Sequence, residues 1–417
     1  MRARILFVLA MFGVFVLGVH IPVPIPGISS AELSTKLQSN AFFDLINTFG
    51  GGALRRISIF SLGLNPYITA SIIMQILTQS SPAAKKEMQE GGQDFRNRQA
   101  KKTRLLSLAL CFLQGSGFLQ MFSGGLGHAL SLGDRLIVLS FWTAGAMFIL
   151  WLGEQITERG IGNGVSLMIF AGIIVSLPNQ TERLWQGLQD GVVAWWQVAI
   201  LVAVFLASTW FTVFFTIAQR RIPVQHMRRN IGTKVVGGRT SYLPFTLNLV
   251  GVIPIIFAIS LMYLPAQFAS MAPRGSVFSE TLMAIGEWLN PLGRWPKNLV
   301  ACGIYTTLIF AFSYFYTAVQ YNVEDIADNL KRQGSMVPGV RPGKQTRDFL
   351  DGVLSRITFM GAVFLAIIAL VQYVGPAITG VYRLSIIGGT TLLIVVSVAL
   401  ETMRQIESNL LMKQYGS

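Results

Sequence analysis

Residues 191–219 read GVVAWWQVAILVAVFLASTWFTVFFTIAQ, a stretch without any Asp, Glu, Lys or Arg. About 20 apolar residues in a helix cross the hydrocarbon core of a bilayer, where an unpaired charge finds no partner. The stretch therefore predicts a membrane-spanning helix. The composition of the 417-residue chain agrees, because 52% of the residues are hydrophobic and only 12% are charged.

Further charge-free windows lie on both sides of this stretch, and each is long enough to span a membrane. The ten windows are residues 5–31, 57–84, 105–133, 136–153, 160–181, 191–219, 240–273, 298–323, 357–382 and 384–400. They predict an all-α polytopic membrane protein with ten transmembrane helices. On span count alone, residues 1–180 and 191–417 form two five-helix halves of opposite orientation, as in inverted-repeat transporters.

The loop charges predict the orientation of these spans. An even number of spans places both termini on one side, and 24 of the 33 Lys and Arg residues fall in the loops on that side. Positively charged loops resist translocation, so we expect both termini in the cytoplasm. Most of the net charge of +14 then faces the cytoplasm.

The spans show no constellation of residues that would support catalysis. No acid or base of the Asp, Glu, Lys or Arg type lies in the ten windows, and His20, His128 and His226 lack the spacing of metal ligands. A P-loop-like stretch at 339–346 fails because Gln345 follows Lys344. We therefore expect no enzyme activity, no cofactor and no metal.

A short segment at residues 42–54 is apolar at helical spacing and ends in three glycines. Its members are Phe42, Phe43, Leu45, Ile46, Phe49, Gly50, Gly51 and Gly52. The segment is too short to span, so it predicts an amphipathic helix on a glycine hinge outside the bilayer. On the pattern alone, a helix lying flat on the membrane is at least as good an interpretation as a mobile stopper.

Two windows combine polar side chains with aliphatic ones. The second window contains Asn65, Thr69, Ser71 and Gln75, and the seventh contains Asn248, Pro254 and Ser260. Each polar residue taken singly is best explained as a contact between helices. Two such spans without charge could also meet at a weak seam that opens.

The cytoplasmic loop at 219–242 carries six basic residues and no acid. They are Arg220, Arg221, Arg228, Arg229, Lys234 and Arg239. Such a charge attracts anionic lipid or RNA phosphate, although it also serves as a plain topology signal. The length of the loop favours docking of a large anionic partner such as a ribosome.

Six strings in the sequence resemble the SecY family of protein-conducting channels, and they occur in the order of that family. They are GLNPYITASIIMQ (63–75), WLGEQITERGIGNG (151–164), GVIPIIFA (251–258), ADNLKR (327–332), VPGVRPG (337–343) and GGTTLLIVV (388–396). The resemblance implies two five-helix halves around an hourglass pore, which conducts unfolded secretory polypeptides across the bacterial plasma membrane.

The resemblance also implies roles for individual residues. An aliphatic pore ring corresponds to Leu64, Ile68, Val165, Ile169, Ile256 and Ile394. Residues 42–54 correspond to an external plug, and a lateral gate between spans 2/3 and 7/8 places Thr69, Gln114 and Asn248 where they could hydrogen-bond across it. The gate would release transmembrane segments into lipid.

The implied partners act mainly at the cytoplasmic face. Loops 219–242 and 324–356 would dock the ribosome, with possible rRNA contact, or the SecA motor, and Arg341 holds the position for motor coupling. Two small subunits, SecE and SecG, polypeptides with signal sequences, and anionic membrane lipid complete the list. The competing hypotheses are a secondary transporter of small molecules and an intramembrane hydrolase, which the charge-free windows disfavour.

Overall fold

The helices of the chain follow the charge-free windows closely. The computed structural model describes residues 2–24, 47–81, 84, 87, 92–126, 131–226, 229–231, 234–236, 240–271, 276–291, 297–379 and 389–415. Its helices are α1 (Arg2–Val19), α2 (Asn65–Ser80), α3 (Gly92–Leu126), α4 (Leu132–Arg159), α5 (Gly164–Gln189), α6 (Trp195–Ile217), α7 (Ile253–Met271), α8 (Val277–Trp288), α9 (Lys297–Gln320), α10 (Val323–Arg332), α11 (Lys344–Thr379) and α12 (Thr390–Tyr415).

Each of the ten windows overlaps mainly with one described helix, namely α1 to α7, α9, α11 or α12. Within the described ranges, six helical segments are long and apolar enough to cross a membrane. These are Arg2–Val19, Leu132–Arg159, Gly164–Gln189, Trp195–Ile217, Lys297–Arg332 and Lys344–Tyr373. The mainly helical membrane fold predicted from the sequence is therefore confirmed.

Some element boundaries differ from those of the windows. Helix α3 begins at Gly92 and α11 begins at Lys344, so both carry charged turns ahead of their apolar windows. The seventh window begins at residue 240, but its first residues, Thr240–Thr246, form a strand and α7 begins only at Ile253. A run of apolar and β-branched residues does not by itself distinguish a strand from a helix.

A small sheet joins the two cytoplasmic loops. Strand β1 (Gln219–His226) pairs antiparallel with β4 (Thr240–Thr246) on one side and with β5 (Ser335–Met336) on the other. Strands β2 (Arg229–Ile231) and β3 (Lys234–Val236) form a separate pair. Because β5 belongs to the loop at 324–356, the loops at 219–242 and 324–356 share one sheet, which the sequence did not predict.

The buried residues form three hydrophobic clusters, and their distribution along the chain is informative. The buried members of one cluster all lie between Val23 and Ala146, and those of a second all lie between Ile255 and Leu393. The third and largest cluster draws on both parts of the chain, from Phe15 to Val398. We call this third group the shared cluster. One cluster is thus confined to residues 23–146 and another to residues 255–393, whereas the shared cluster draws on both parts of the chain.

Candidate functional site

The six residues expected in a pore ring all belong to the shared cluster. Leu64, Ile68, Ile169 and Ile394 are buried members, whereas Val165 and Ile256 are partly buried and pack against it. They sit near the beginnings of four helices, α2, α5, α7 and α12. Side chains that are far apart in the sequence therefore share one hydrophobic cluster, and every one of the six is aliphatic.

Local sequence explains where these helices begin. Pro66 and Pro254 each occupy the second position of their helix, α2 and α7, where a missing backbone N–H costs no hydrogen bond. In each helix an isoleucine follows two residues later, Ile68 in α2 and Ile256 in α7. This shared spacing supports a correspondence between the two halves.

The other two helix starts are fixed by polar side chains. The Asn163 Oδ1 atom accepts hydrogen bonds from the backbone N–H groups of Val165 and Ser166, at 3.1 and 3.3 Å, and so caps α5. The Thr390 N–H donates to Gln372 Oε1 at 3.3 Å at the start of α12. Both caps lie within about one turn of ring candidates, so they determine where those side chains point.

Only part of the expected plug can be placed. Phe42, Phe43, Leu45 and Ile46 lie outside the described residues. Residues 47–49 form a helical turn that ends in the glycines, where Gly51 and Gly52 adopt φ values of +69° and +86°. The Gly52 N–H donates to the Asn47 carbonyl at 2.7 Å, so the glycines close the turn tightly.

This turn is seated on α5 rather than lying free. Phe49 packs against both the shared cluster and the cluster of the second half. The Phe49 carbonyl oxygen lies directly over Gly172 of α5, at a position where any Cβ atom would overlap it. Sequence reasoning missed Gly172, because a small residue in a span acquires a role only when its neighbour in space is known.

We predict that Gly172→Ala displaces the turn at 47–52 from α5. The new methyl group would collide with backbone, which cannot rotate away as a flexible side chain can. The expected result is a rise in ion leakage through closed channels in proteoliposomes. Gly13→Ala is the matched control, because outside its own helix backbone no described atom lies within 4 Å of a Cβ placed there. Equal leakage from the two variants would contradict a closing role for the contact between this turn and α5.

The three residues expected at a lateral gate are all buried. Thr69, Gln114 and Asn248 come from α2, α3 and the bend that precedes α7. The Thr69 hydroxyl donates to the Asn65 carbonyl of its own helix at 3.0 Å, and the Gln114 Oε1 atom has no partner among the described residues. No hydrogen bond joins these three side chains to one another in the described structure.

A different pair forms a hydrogen bond between α2 and α9. The Tyr316 hydroxyl on α9 donates to Gln75 Oε1 on α2 at 2.5 Å, and Gln75 Nε2 donates to Ser71 Oγ at 3.1 Å. The Tyr316 ring packs edge-on against Phe257 of α7, with ring centroids 5.1 Å apart. The sequence marked Gln75 as polar but gave no sign of Tyr316, since a tyrosine in an apolar span resembles ordinary core.

The Gln75–Tyr316 bond lies beside a pocket of about 350 Å³. The pocket is lined by α2, α3 and α9, and its polar residues include Gln75, Gln99 and Thr78. An ion pair between Arg104 Nε and Glu154 Oε1, 2.7 Å apart, forms another part of the lining. This seam between α2/α3 and α9 is therefore polar and incompletely packed, as a surface that separates would be.

We predict that Tyr316→Phe makes the seam easier to separate. It removes one hydrogen bond, which contributes about 0.5–1.5 kcal/mol, while keeping the ring contacts. Precursors with weakened signal sequences should then be exported more efficiently, by up to about tenfold. Tyr314→Phe is the control, because the Tyr314 hydroxyl faces the Ser355 carbonyl on α11, at 3.4 Å, away from the seam. No difference between the two variants would contradict a closing role for the bond.

The basic residues expected at the docking face are placed in part. Arg220 and Arg221 lie on β1 and are exposed, whereas Ile222 and Val224 of the same strand are buried. Neither arginine forms an ion pair with a described residue. Arg229 is the first residue of β2, and Lys234 is the first residue of β3. Arg228 and Arg239 lie outside the described residues.

Arg341 lies in the turn between β5 and α11. Its side chain is exposed, and its carbonyl accepts a hydrogen bond from the Thr346 hydroxyl at 2.9 Å. An ion pair between Arg347 Nη1 and Glu324 Oε1, 2.7 Å apart, joins the starts of α11 and α10. Together with the pairing of β5 and β1, these contacts place Arg341 next to the sheet that carries Arg220 and Arg221.

Comparison with known sequences agrees with this geometry. The sequence model of the SecY family matches residues 58–403, which is most of the chain. The protein translocase subunit SecY of Staphylococcus carnosus is 39% identical over 422 residues, covering 99% of this chain and 95% of that protein. The SecY subunit of Staphylococcus aureus strain NCTC 8325 gives the same identity and coverage.

Solved structures show the same fold at lower identity. The structure of a protein-conducting channel is matched with a TM-score of 0.70 and 18% identity, over 99% of this chain and 94% of that one. A SecY structure concerned with how the plug domain stabilises the closed state gives a TM-score of 0.71 at 18% identity, with 99% and 93% coverage. Sec61 in the canine ribosome–channel complex gives 0.67 at 16% identity, with 99% and 94% coverage. The chain belongs to the SecY family.

Proposed function

We propose that this chain is the pore-forming subunit of a protein translocation channel in the plasma membrane. It conducts unfolded secretory polypeptides outward and releases transmembrane segments sideways into lipid. The observation that supports the proposal is the shared cluster, to which four of the six aliphatic ring candidates belong and against which the other two pack. A collar of this kind binds nothing strongly, excludes water and ions when closed, and deforms around a passing chain.

The two halves, residues 1–180 and 191–417, move relative to each other in this proposal. The support is that each half has a cluster of its own while the pore-ring residues lie where the halves meet. Separate cores allow each half to move as a body, because many of the described contacts between the halves lie in the shared cluster and at the seam.

The plug at residues 42–54 closes the external side in this proposal. The described end of this segment lies against α5. Phe49 packs against the shared cluster and against the cluster between Ile255 and Leu393. The close contact between the Phe49 carbonyl and Gly172 supports a closed resting position for this end. An incoming polypeptide would have to displace it.

The lateral gate opens along the seam between α2/α3 and α7/α9. We assign its closing contact to the Gln75–Tyr316 bond, with Thr69, Gln114 and Asn248 as further buried polar residues at the seam. Such groups are stabilised only by partners, because lipid offers none. An apolar signal sequence that entered the seam would replace these contacts and hold it open.

The cytoplasmic sheet is the docking platform for the ribosome, through contact with rRNA, and for the SecA motor. Exposed arginines on β1 and beside β5, which form no ion pair with any described residue, support this assignment, because they offer positive charge around one sheet. We assign SecE and SecG as further partners and anionic lipid as a contact of the basic loops. No catalytic activity or cofactor is proposed for the chain itself.

We predict that Arg341→Glu impairs motor-driven export while leaving the protein inserted in the membrane. A charge-assisted contact contributes about 1.5–3 kcal/mol, so export with SecA and ATP should fall by about tenfold or more. Arg332→Glu is the matched control, because it makes the same charge change at an exposed position in the same loop. Normal motor-driven export by the Arg341 variant would contradict the assignment.

The function is tested by reconstitution. Proteoliposomes that contain this chain with its two small subunits should accumulate a protease-protected secretory precursor when SecA and ATP are supplied outside. A precursor with its signal sequence deleted should remain accessible to protease. Failure to protect any precursor, combined with uptake of a small solute, would favour the secondary transporter instead.

A further inference from the structure

Helix α8 (Val277–Trp288) lies in the external loop between α7 and α9 and exposes an unusual number of large apolar side chains. Val277 is 77% exposed, Phe278 63%, Ile285 47% and Trp288 46%. A helix in water would not keep such a face uncovered. The question is what covers it.

Four of the exposed apolar residues occupy one sector of the helix, whereas Met283, which is 51% exposed, lies outside that sector. At 3.6 residues per turn, Val277, Phe278, Ile285 and Trp288 fall within an arc of about 100°. The face that packs on the protein, with buried Ser279, is centred roughly 120° away from it, and the two acidic residues, Glu280 and Glu287, occupy the remaining side. The helix therefore has a protein face, an acidic face and an exposed apolar face.

The contacts with α7 place this helix alongside the last turns of a predicted span. The Ser279 hydroxyl donates to the Ala269 carbonyl at 3.1 Å, and a Cβ atom on Gly286 would lie 3.3 Å from the Ala266 Cβ. Helix α8 thus turns back along the end of α7. Ala266 precedes the last residue of α7, Met271, by five positions, which corresponds to about 7.5 Å along the helix axis.

The other end of α8 is fixed at the start of α9. Lys297, the first residue of α9, lies 2.8 Å from Glu287 Oε2, and its amine lies 5.6 Å from the centroid of the Trp288 ring. The hydrogen bond from Lys297 and its positive charge lower the pKa of the Glu287 carboxyl. Leu299 and Val300, in the first turn of α9, are exposed apolar residues directly beyond this point.

We propose that α8 lies in the outer-leaflet interface of the phospholipid bilayer, with its exposed apolar face in the boundary between headgroups and acyl chains. That face is continuous with the lipid-facing surface of α9 through Trp288, Lys297 and Leu299. The immersion of about 5–10 Å that is typical of interfacial helices matches the position of Gly286 beside Ala266. The acidic residues face the aqueous side, where Glu287 pairs with Lys297.

This placement gives α8 a mechanical role. It joins the external ends of α7 and α9 and is held by lipid on one face and by α7 on another. Both spans would therefore be anchored to the outer leaflet. The inference concerns the surface of the helix and does not depend on what passes through the pore.

The test uses a fluorescent dye that can be quenched either by a compound in the lipid or by a compound in the water. In a chain with Cys111 and Cys302 replaced by alanine, single cysteines are placed at Phe278 or Ile285, and at Glu280 as the matched control on the acidic face. Each is labelled and reconstituted with the partner subunits into vesicles that contain lipids brominated near the top of the acyl chain. Iodide is the aqueous quencher.

The labels at Phe278 and Ile285 should lose most of their fluorescence to the brominated lipid and little to iodide, with the reverse for Glu280. Equal quenching by iodide at all three positions would overturn the proposal. Protection of Phe278 and Ile285 from both quenchers would also overturn it, because another protein surface would then cover the face. Each labelled variant is also assayed for protection of a precursor from protease. A variant that protects the precursor is folded, so its quenching result then decides the proposal.

Discussion

Chemically linking α2 to α9 across the seam is expected to abolish both the export of secretory precursors and the insertion of transmembrane segments. The variant carries Gln75→Cys and Tyr316→Cys in a chain with Cys111 and Cys302 replaced by alanine, and a short bifunctional thiol reagent joins the pair. A reagent is needed because two such long side chains, in contact only at their tips, place their Cα atoms further apart than a disulfide allows. If α2 and α9 cannot separate, a signal sequence has no place to enter.

The control for this link joins two helices of the same half. Phe310→Cys and Phe359→Cys, on α9 and α11, replace rings whose centroids are 5.7 Å apart, and their link does not cross the seam. Export should survive this second link. Unimpaired export with the first link verified by mass spectrometry would contradict the gate, whereas loss of export with both links would show only that rigidity is harmful.

Replacing Ile68 and Ile256 together by serine is expected to make the resting channel conduct ions. The two hydroxyl groups would let water enter the collar, and the barrier that depends on keeping it dry would be lost. Single-channel recording in planar bilayers should change from silence to a clear conductance without any precursor present. Removal of a buried aliphatic group also destabilises the fold, by about 2–5 kcal/mol for a change as large as Ile to Ala.

A matched control separates leakage from this loss of stability. Ile72 and Val398 are buried in the same cluster but lie about one turn beyond the ring residues Ile68 and Ile394. Replacing both by serine should lower thermal stability to a similar degree while leaving the bilayer silent. Equal conductance from the two double variants would remove the distinction between ring and ordinary core.

The sequence predicted the spans well because the bilayer imposes a simple rule. A stretch as long and as free of charge as residues 191–219 has little choice but to form a spanning helix, and each window overlaps mainly with one described helix. The prediction was weakest where the rule does not apply. Residues 240–246 are as free of charge as the rest of their window, yet they form a strand that pairs with β1.

The site was less accessible from the pattern of residues. Ile68 and Ile394 look like any other aliphatic residue of a span, so only the resemblance to a family suggested a ring. Tyr316 and Gly172 were not predicted, because their importance comes from a partner that is distant in the sequence, Gln75 in one case and Phe49 in the other. Such contacts become visible only when the chain is folded.

The most direct test of the central claim is to ask which residues touch a polypeptide in transit. A photoreactive amino acid is placed at Ile68, Ile169 or Ile256, and at Leu6 and Trp210 as controls, which are exposed on α1 and α6. A secretory precursor is then arrested partway through the channel and irradiated. Adducts from all three ring positions and none from the two controls are expected, whereas adducts confined to the outward-facing positions would contradict a central pore.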